Sequence, residues 1–573
     1  MATVSLSHYL WTRIYDQGIR SVFGVPGDFN LTLLDGIKKA NLKWIGAANE
    51  LNAAYAADGY ARVKHLPGVL VTTYGVGELS ALNAVAGAFS EKVKLIHIVG
   101  TTPRFAKERR LSLHHCLGTN PNHDIYMQMC EPACVAQANL VDAETAPQEI
   151  DRAIRECFLK SSPVYIFVPM DIVDEQVSSS NLKIPLDLSI PTDQAQEEKA
   201  LKAITSAIHS SKSPSLLVDC LTDRFDARKE VNELADALQF PIYTTSMGKS
   251  IVHESNPRFV GTVSGNLSRP GMKECFATSD LILALGYFSG DANTGKWTMG
   301  FEEELGRVIM IQEDHAIVQG KDFKGVHLKS LLKKLISIDK TAIPQVANPI
   351  SPPVIIPSDI NAEHITQSWI WPQIGKFLRD SDAIIVETGT AQFGLPDVPI
   401  PDNIKYICQM YWGSIGYASA ACLGAEQAQR ENGKGRTVLV TGDGSIAMTS
   451  GEIGSMIKNK SNAIIIVVNN HGYTIERAIH GPEEEYNDVP SYRFEEMLNF
   501  FGDPNPKTSF RTATSKVEFL KAVQDPDLLE PQSLQVLEVV MDKFDIPRSL
   551  AALTGFKREN MTNGAKAKVN GFA

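Results

Sequence analysis

Two strand ends in the last third of the chain carry residues that could hold a metal ion and a phosphate group. One apolar run ends in Gly442-Asp443-Gly444, and a second, after a helix-like segment, ends in Asn469-Asn470. A parallel strand–helix–strand unit brings both ends to the same edge of a sheet. Because carboxylate and amide oxygens are hard ligands and glycine leaves room for phosphate, the pattern predicts Mg2+ holding a diphosphate. An ordinary strand-to-helix turn is the alternative interpretation of Asp443-Gly444 alone.

Polar and glycine residues follow several other apolar runs, at the positions where open α/β sheets bind ligands. If the runs are parallel strands, these residues lie along the same kind of edge as Asp443. The candidates are Asp28, Glu50, Gly75, Gly77, His114 and His115 in the first third, and Thr388, Gly389, Thr390, Gly413, Ser414, Ile415, Gly416 and Glu476 in the last.

The charged candidates also have purely structural interpretations. Glu50 opens a helix, where the helix dipole favours a carboxylate, or it is a desolvated acid that can hold a proton. Asp28 is a common turn residue, and Glu476 could be an exposed helix residue. His114 and His115 could be structural, acid–base or metal-binding groups. Adjacent side chains point in different directions on most backbones, so we expect the histidine pair not to chelate a single metal ion.

Three successive blocks of alternating strands and helices must position these residues. Short apolar strands that alternate with helices predict parallel sheets covered on both faces. The expected fold class is therefore α/β, with three consecutive doubly wound, mainly parallel-sheet domains at residues 1–180, 197–340 and 361–573. A polar linker precedes the second block, a proline-rich linker at 344–357 precedes the third, and five apolar strands are expected in the third block.

Composition excludes several classes of protein. The 573 residues carry a net charge of −11, which disfavours nucleic acid as a main partner. The sequence has no apolar run of the length that a membrane span needs. The eight cysteines are dispersed without metal-binding spacing, which indicates reduced thiols and predicts a cytoplasmic protein.

Several motifs together resemble one enzyme family. They are GVPGDFNLTLLDGI, NELNAAYAADGYAR, GVGELSALNAVAG, LHHCLG, ETGTAQFG, YWGSIGYA, the GDG–NN pair and GYTIERAIHGP. In this order they are similar to the thiamine diphosphate-dependent 2-oxo acid decarboxylases, with the fungal pyruvate decarboxylases as the best-matching subfamily, over nearly the whole chain. The resemblance implies a pyrimidine-binding domain, a middle domain without catalytic residues and a diphosphate-binding domain. It also implies a homodimer, paired into a homotetramer, with the cofactor held between subunits.

The resemblance assigns a role to each candidate. Asp443, Asn470 and the Gly472 carbonyl would bind Mg2+. The remaining contacts to thiamine diphosphate would come from Glu50, Thr390, Gly413, Ser414, Ile415, Gly444, Ser445, His471, Tyr473, Thr474 and Ile475. The catalytic residues would be Glu50, which activates the pyrimidine ring, and a proton relay of Asp28, His114, His115 and Glu476.

The implied reaction is non-oxidative decarboxylation of a 2-oxo acid through carbanion and enamine chemistry on thiamine diphosphate. Pyruvate, giving acetaldehyde and CO2, is the expected small-molecule substrate. Ile475 and Ile479 favour a small side chain on the substrate, whereas Gln392 is expected to alter the pocket wall. The alternatives are a longer or aromatic 2-oxo acid, and an acetolactate-synthase-like carboligase, although that class typically lacks the histidine pair.

Substrate activation is expected to differ from that of the yeast-type enzymes. In those enzymes it has been linked to a middle-domain cysteine facing a histidine of the first domain. The corresponding positions here are Leu221, beside Cys220, and Lys92. The sequence therefore predicts weak or differently wired activation.

Overall fold

Three sheets organise the part of the chain that the computed structural model describes, which is residues 2–301, 304–349, 351–352, 356–357 and 359–556. Residues 557–573, at the end of the predicted third domain, lie outside the described residues. So do residues 350, 353–355 and 358 in and beside the proline-rich linker. No helix among the described residues is long and apolar enough to cross a membrane.

The N-terminal domain contains a six-stranded parallel sheet. Its strands and a separate two-stranded pair are β1 (Thr3–Ser5), β2 (Ser21–Gly24), β3 (Lys43–Gly46), β4 (Gly68–Thr73), β5 (Leu95–Thr101), β6 (Ala136–Asn139), β7 (Val164–Pro169) and β8 (Gln176–Ser178). The helices are α1 (Leu6–Asp16), α2 (Leu31–Lys39), α3 (Glu50–Lys64), α4 (Val76–Ser90), α5 (Arg104–Glu108), α6 (Ile125–Cys130) and α7 (Ala146–Lys160). The sheet order is β3-β2-β4-β5-β7-β6, and β1 pairs with β8 antiparallel.

The middle domain contains a seven-stranded sheet that is only partly parallel. Its strands are β9 (Pro214–Val218), β10 (Ile242–Thr244), β11 (Phe259–Thr262), β12 (Leu281–Leu285), β13 (Val308–Ile311), β14 (His315–Val318) and β15 (Lys321–Lys324). The helices are α8 (Gln194–Ser210), α9 (Leu221–Arg224), α10 (Arg228–Leu238), α11 (Met272–Ala277), α12 (Asp291–Thr294) and α13 (Leu328–Ile336). The order is β11-β10-β9-β12-β13-β14-β15, and the last two strands run antiparallel to their neighbours.

The C-terminal domain repeats the six-stranded parallel arrangement. Its strands are β16 (Ala383–Val386), β17 (Lys405–Cys408), β18 (Thr437–Gly442), β19 (Ile464–Asn469), β20 (Phe510–Ala513) and β21 (Gln535–Val540). The helices are α14 (Gln367–Phe377), α15 (Thr390–Gly394), α16 (Tyr417–Asn432), α17 (Asp443–Met448), α18 (Gly451–Lys458), α19 (Thr474–Ile479), α20 (Met497–Phe500), α21 (Lys516–Ala522), α22 (Pro526–Leu529) and α23 (Arg548–Thr554). The order is β17-β16-β18-β19-β21-β20.

The central strands are buried along their length because both faces of each parallel sheet are covered. β18 and β19 consist mainly of β-branched and apolar residues, which suit a strand without a solvated face. The predicted fold of three mainly parallel α/β domains is confirmed. The short edge strand β20 was not among the five strands expected in the third block.

Helices α3 and α16 join the N-terminal and C-terminal domains with their backbones in direct contact. A Cβ on Gly59 would lie 2.1 Å from the Ala421 carbonyl oxygen, and one on Gly424 would lie 1.7 Å from that of Ala56. No side chain fits at either distance, so only glycine permits this approach. The helix that begins at Glu50 is thereby fixed against the helix that follows the 413–416 turn.

Candidate functional site

A cleft lies at the carboxyl ends of β16, β18 and β19 in the C-terminal domain. β16 and β19 each end in a short turn before a short helix, whereas β18 ends at Gly442 and α17 begins at the next residue, Asp443. The predicted site residues that line this cleft are Thr390, Ile415, Asp443, Gly444, Ser445, Asn470, Gly472, Tyr473, Thr474, Ile475 and Glu476.

Asp443 and Asn470 lie at the floor of the cleft, and both are buried. The Asp443 carboxylate accepts hydrogen bonds from the backbone N–H of Gly444 at 2.8 Å and of Gly472 at 3.0 Å. The Asn470 amide donates to Thr474 Oγ1 at 2.7 Å, which orients its own carbonyl oxygen. Burial raises the pKa of Asp443, and a bound cation would offset that cost of ionisation.

The cleft also carries polar groups that a bound diphosphate could satisfy. The hydroxyls of Thr388 and Thr441 are buried without a hydrogen-bond partner among the described residues, and both residues line the cleft. Gly389 has φ +155°, and a Cβ built on it would have no neighbouring atom within 4 Å. Hydroxyl donors, open backbone and the buried carboxylate fit a Mg2+–diphosphate group.

Glu387 lines the cleft but is not among the candidates predicted from the sequence. It is buried at the end of β16 and accepts hydrogen bonds from the backbone N–H of Thr388 at 3.0 Å and of Ala418 at 3.1 Å. Burial raises its pKa to about 7. Glu387 therefore ties the loop before Thr390 to the start of α16. A carboxylate at the end of an apolar run, the signal used for Glu50, could have found it.

Asp28, His114 and His115 form a second group, in the N-terminal domain. His114 Nε2 and Asp28 Oδ2 are 2.5 Å apart, and one ligand atom from each of the three side chains lies within 4.8 Å of the others. Phe29 stacks on the His114 ring with a centroid distance of 5.0 Å. The expectation that the two imidazoles diverge is wrong, because His115 has a left-handed backbone with φ +68°.

Glu50 belongs neither to the lining of the cleft nor to the Asp28–His114–His115 group. It is half-buried in the first turn of α3, and a Cβ on Gly77 would lie 3.2 Å from its Oε1. All the described residues that line the cleft belong to the C-terminal domain. Within one chain, Glu50 and the Asp28–histidine group therefore lie outside the cleft that holds the other predicted site residues.

Besides Glu50, three predicted cofactor residues lie outside the lining of the cleft: Gly413, Ser414 and His471. Ser414 Oγ is 2.7 Å from the Tyr55 hydroxyl of α3, so this residue joins the two domains. Gly413 has φ +64° and opens the turn that carries Ile415. His471 is exposed, with φ +59°, beside the cleft residues Asn470 and Gly472.

Gln392 is not among the described residues that line the cleft, and its predicted effect on the wall of the substrate pocket stays a prediction. It is buried with its Oε1 3.8 Å from Cys408 Sγ and lines a separate cavity. Ala391 lines the cleft instead. Successive residues of a helix point about 100° apart, so Gln392 faces away from the cleft.

Lys92 and Leu221 have surroundings unlike a thiol–imidazole pair. Lys92 Nζ lies 3.9 Å from Glu313 Oε1 of the middle domain. Leu221 and Cys220 are buried together in an apolar cluster with Phe225, and burial raises the pKa of the Cys220 thiol. Weak or differently wired substrate activation stays a prediction.

Glu78, beside Gly75 and Gly77 in the first turn of α4, gives the protein a pH-dependent stability. Burial raises its pKa to about 8 from an ordinary value of 4.5, and Oε2 has no partner among the described residues. Between those values the folded state keeps a proton that the unfolded state has lost. The free energy of unfolding is therefore highest at low pH, and it falls by about 1.4 kcal/mol per pH unit as the pH rises toward 8.

Glu78→Gln is expected to remove this slope, because the amide does not titrate. In calorimetry of the apoprotein, the variant should melt close to wild type at pH 5 and above it at pH 8. Glu108→Gln, an exposed glutamate of the same domain, is the control. If the melting temperatures of wild type and Glu78→Gln differ by the same amount at pH 5 and at pH 8, the pH dependence does not come from Glu78.

The sequence matches three family models in the order of the three domains. They are the N-terminal TPP binding domain of thiamine pyrophosphate enzymes at residues 4–121, the central domain at 201–334 and the C-terminal TPP binding domain at 388–527. The chain belongs to the thiamine pyrophosphate enzymes. Thiamine pyrophosphate is thiamine diphosphate, so the cofactor that the resemblance implied is the one this family binds.

Relatives of this thiamine pyrophosphate enzyme match it from end to end. Pyruvate decarboxylase isozyme 2 of Saccharomyces cerevisiae is 38% identical over 99% of this chain and 100% of its own length. Pyruvate decarboxylase of Candida glabrata is 39% identical, covering 96% and 97%. A solved thiamine diphosphate-dependent 4-hydroxybenzoylformate decarboxylase from Rhodococcus jostii superposes with a TM-score of 0.74, at 18% identity, over 94% of this chain and 99% of that one. At that identity the last comparison supports the fold alone.

Proposed function

We propose that this thiamine pyrophosphate enzyme decarboxylates pyruvate to acetaldehyde and CO2 without net oxidation. The observation that carries the proposal is the convergence of His114 and His115 on Asp28, which provides proton donors for the carbon that loses CO2. Full-length similarity to proteins named pyruvate decarboxylases supports it.

Thiamine diphosphate and Mg2+ are the proposed cofactors. Asp443, Asn470 and the Gly472 carbonyl would bind Mg2+, since these oxygens suit a small hard cation. Thr390, Gly444 and Ser445 would hold the diphosphate. The bound cofactor supplies a nucleophilic carbon and accepts the electron pair released when CO2 leaves.

The chain's own residues move the protons. Glu50 would exchange a proton with the pyrimidine ring, and Glu476, at the cleft, would act with Asp28, His114 and His115 on the substrate side. Ile475 lines the cleft and narrows it, which favours the methyl group of pyruvate over a larger side chain.

We further propose that the active site is completed by a second copy of the chain. The cleft lacks Glu50, Asp28 and the histidine pair, and a homodimer would bring them from the partner's N-terminal domain. Two dimers would pair into a homotetramer in the cytoplasm. The net charge of −11 favours a small-molecule substrate over nucleic acid.

Reconstitution tests the reaction and its substrate. The apoprotein is supplied with thiamine diphosphate and Mg2+, and CO2 release is compared for pyruvate, 2-oxoisocaproate and phenylpyruvate. We expect the highest kcat/KM for pyruvate, with acetaldehyde as product. A preference for phenylpyruvate would replace pyruvate with an aromatic substrate, and acetolactate as main product would indicate a carboligase. If none of the three 2-oxo acids releases CO2, the proposed decarboxylase activity is refuted.

A further inference from the structure

The left-handed turn at His115 brings two adjacent imidazoles to the same side of the backbone. The rings of His114 and His115 lie 4.7 Å apart, centroid to centroid. Both face Asp28, with one ligand atom of each side chain within 4.8 Å of the others. Two nitrogens and one carboxylate oxygen therefore lie within 4.8 Å of one another, and these are ligand types found in three-ligand metal sites.

The surrounding structure holds His115 in this conformation. The buried Tyr126 hydroxyl donates to the His115 carbonyl at 2.7 Å. A Cβ on Gly75 would lie 2.8 Å from that same carbonyl oxygen, so the glycine makes room for it. A non-glycine residue keeps a positive φ only where its neighbours fix it. The convergence is thus built into the fold before any ion arrives.

Two of the three ligands are open to solvent in the single chain, and His115 is half-buried. The side chains of Asp28 and His114 are 53% and 57% exposed. Zinc ligands bound at about 2.1 Å lie roughly 3.4 Å apart, so modest side-chain rotation would close the remaining distance. Imidazole nitrogens suit Zn2+ and Co2+, whereas Mg2+ prefers oxygen ligands and would stay with Asp443 and Asn470.

We propose that Asp28, His114 and His115 form a second divalent-metal site, selective for Zn2+ and Co2+, that switches the enzyme off. The inhibitory part rests on the proposed function, because a metal on these atoms occupies the lone pairs that would carry protons. Zn2+ then lowers kcat, and excess Mg2+ does not reverse the effect.

The test follows Co2+ binding to the holoenzyme in excess Mg2+ and thiamine diphosphate. We expect one Co2+ per chain, with visible absorption bands typical of nitrogen ligation, and displacement by Zn2+. His114→Gln and His115→Gln should each abolish the bands. Tyr126→Phe, which only frees the His115 carbonyl, should weaken Co2+ affinity by about tenfold. His253→Gln, at an exposed histidine of the middle domain, is the matched control, and the eight cysteines remain in every variant.

Several outcomes would overturn the site: bands that persist in both histidine variants, bands that excess Mg2+ removes, or no bands at all. Zn2+ inhibition equal in wild type and Tyr126→Phe would likewise overturn it. Co2+ absorption can be measured without turnover, so the two proposals are tested separately. If the protein binds Co2+ as described but releases no CO2, the metal site is supported and the proposed decarboxylase function is refuted.

Discussion

Replacing Glu50 with glutamine is expected to lower kcat for 2-oxo acid decarboxylation by about 10³-fold, the range of a lost general acid–base group. The amide keeps the size and hydrogen-bonding capacity of the side chain, so thiamine diphosphate and Mg2+ should still bind. It cannot hold or release the proton. Glu50 is half-buried in the first turn of α3, held at one side by Gly77, so the isosteric variant should fold normally.

The decisive measurement is hydrogen–deuterium exchange at the thiazolium carbon of the bound cofactor, quenched by acid and read by NMR. Exchange should be nearly abolished in Glu50→Gln and unchanged in the control Glu149→Gln, an exposed glutamate that pairs with Arg152. Normal exchange in Glu50→Gln would remove Glu50 from the mechanism, whatever the rate of CO2 release.

Asp443→Asn is expected to weaken Mg2+-dependent binding of thiamine diphosphate by about 100-fold or more, since even outer residues of metal sites contribute 10–100-fold. The variant loses the negative charge at the floor of the cleft. Its amide also cannot accept from both Gly444 N–H and Gly472 N–H, as the carboxylate does. Calorimetric titration of the apoprotein with cofactor, at several Mg2+ concentrations, measures the loss.

Asp380→Asn, an exposed carboxylate of the same domain, controls for the change in net charge. Unaltered Mg2+ dependence in Asp443→Asn would place the metal elsewhere. Equal weakening in both variants would mean that the measurement reports the general electrostatic field rather than a ligand.

The sequence could predict those features that depend on short segments. The parallel sheets follow from continuous apolar strands, and Asp443 and Asn470 follow from their place after two of them. The short strand β20 escaped notice because its four residues are not an apolar run. Which face of α15 points into the cleft depends on tertiary packing, so the place of Gln392 outside the cleft lining could not be predicted from the sequence.

The geometry of the histidine pair could not be predicted from the neighbouring sequence, because it depends on residues elsewhere in the chain. The left-handed conformation of His115 depends on the Tyr126 hydroxyl and on the absence of a side chain at Gly75, and neither residue is its neighbour in sequence. Glu387, in contrast, could have been recognised from the sequence, because it ends an apolar strand as Glu50 does. Its burial and its hydrogen bond from Ala418 at the start of α16 are visible only in the structure.

The glycine contact between α3 and α16 has a consequence for the proposed dimer. Each active centre would take its acid from one subunit and its cleft from the other, so Glu50 and Ile415 of one chain would serve different centres. Their helices touch through backbone atoms at Gly59 and Gly424, with no side chain between them to absorb a displacement. In such a dimer, a movement of α3 at one centre would therefore be transmitted to the other. Binding at one centre would then change the affinity of the other, and this coupling would be reciprocal.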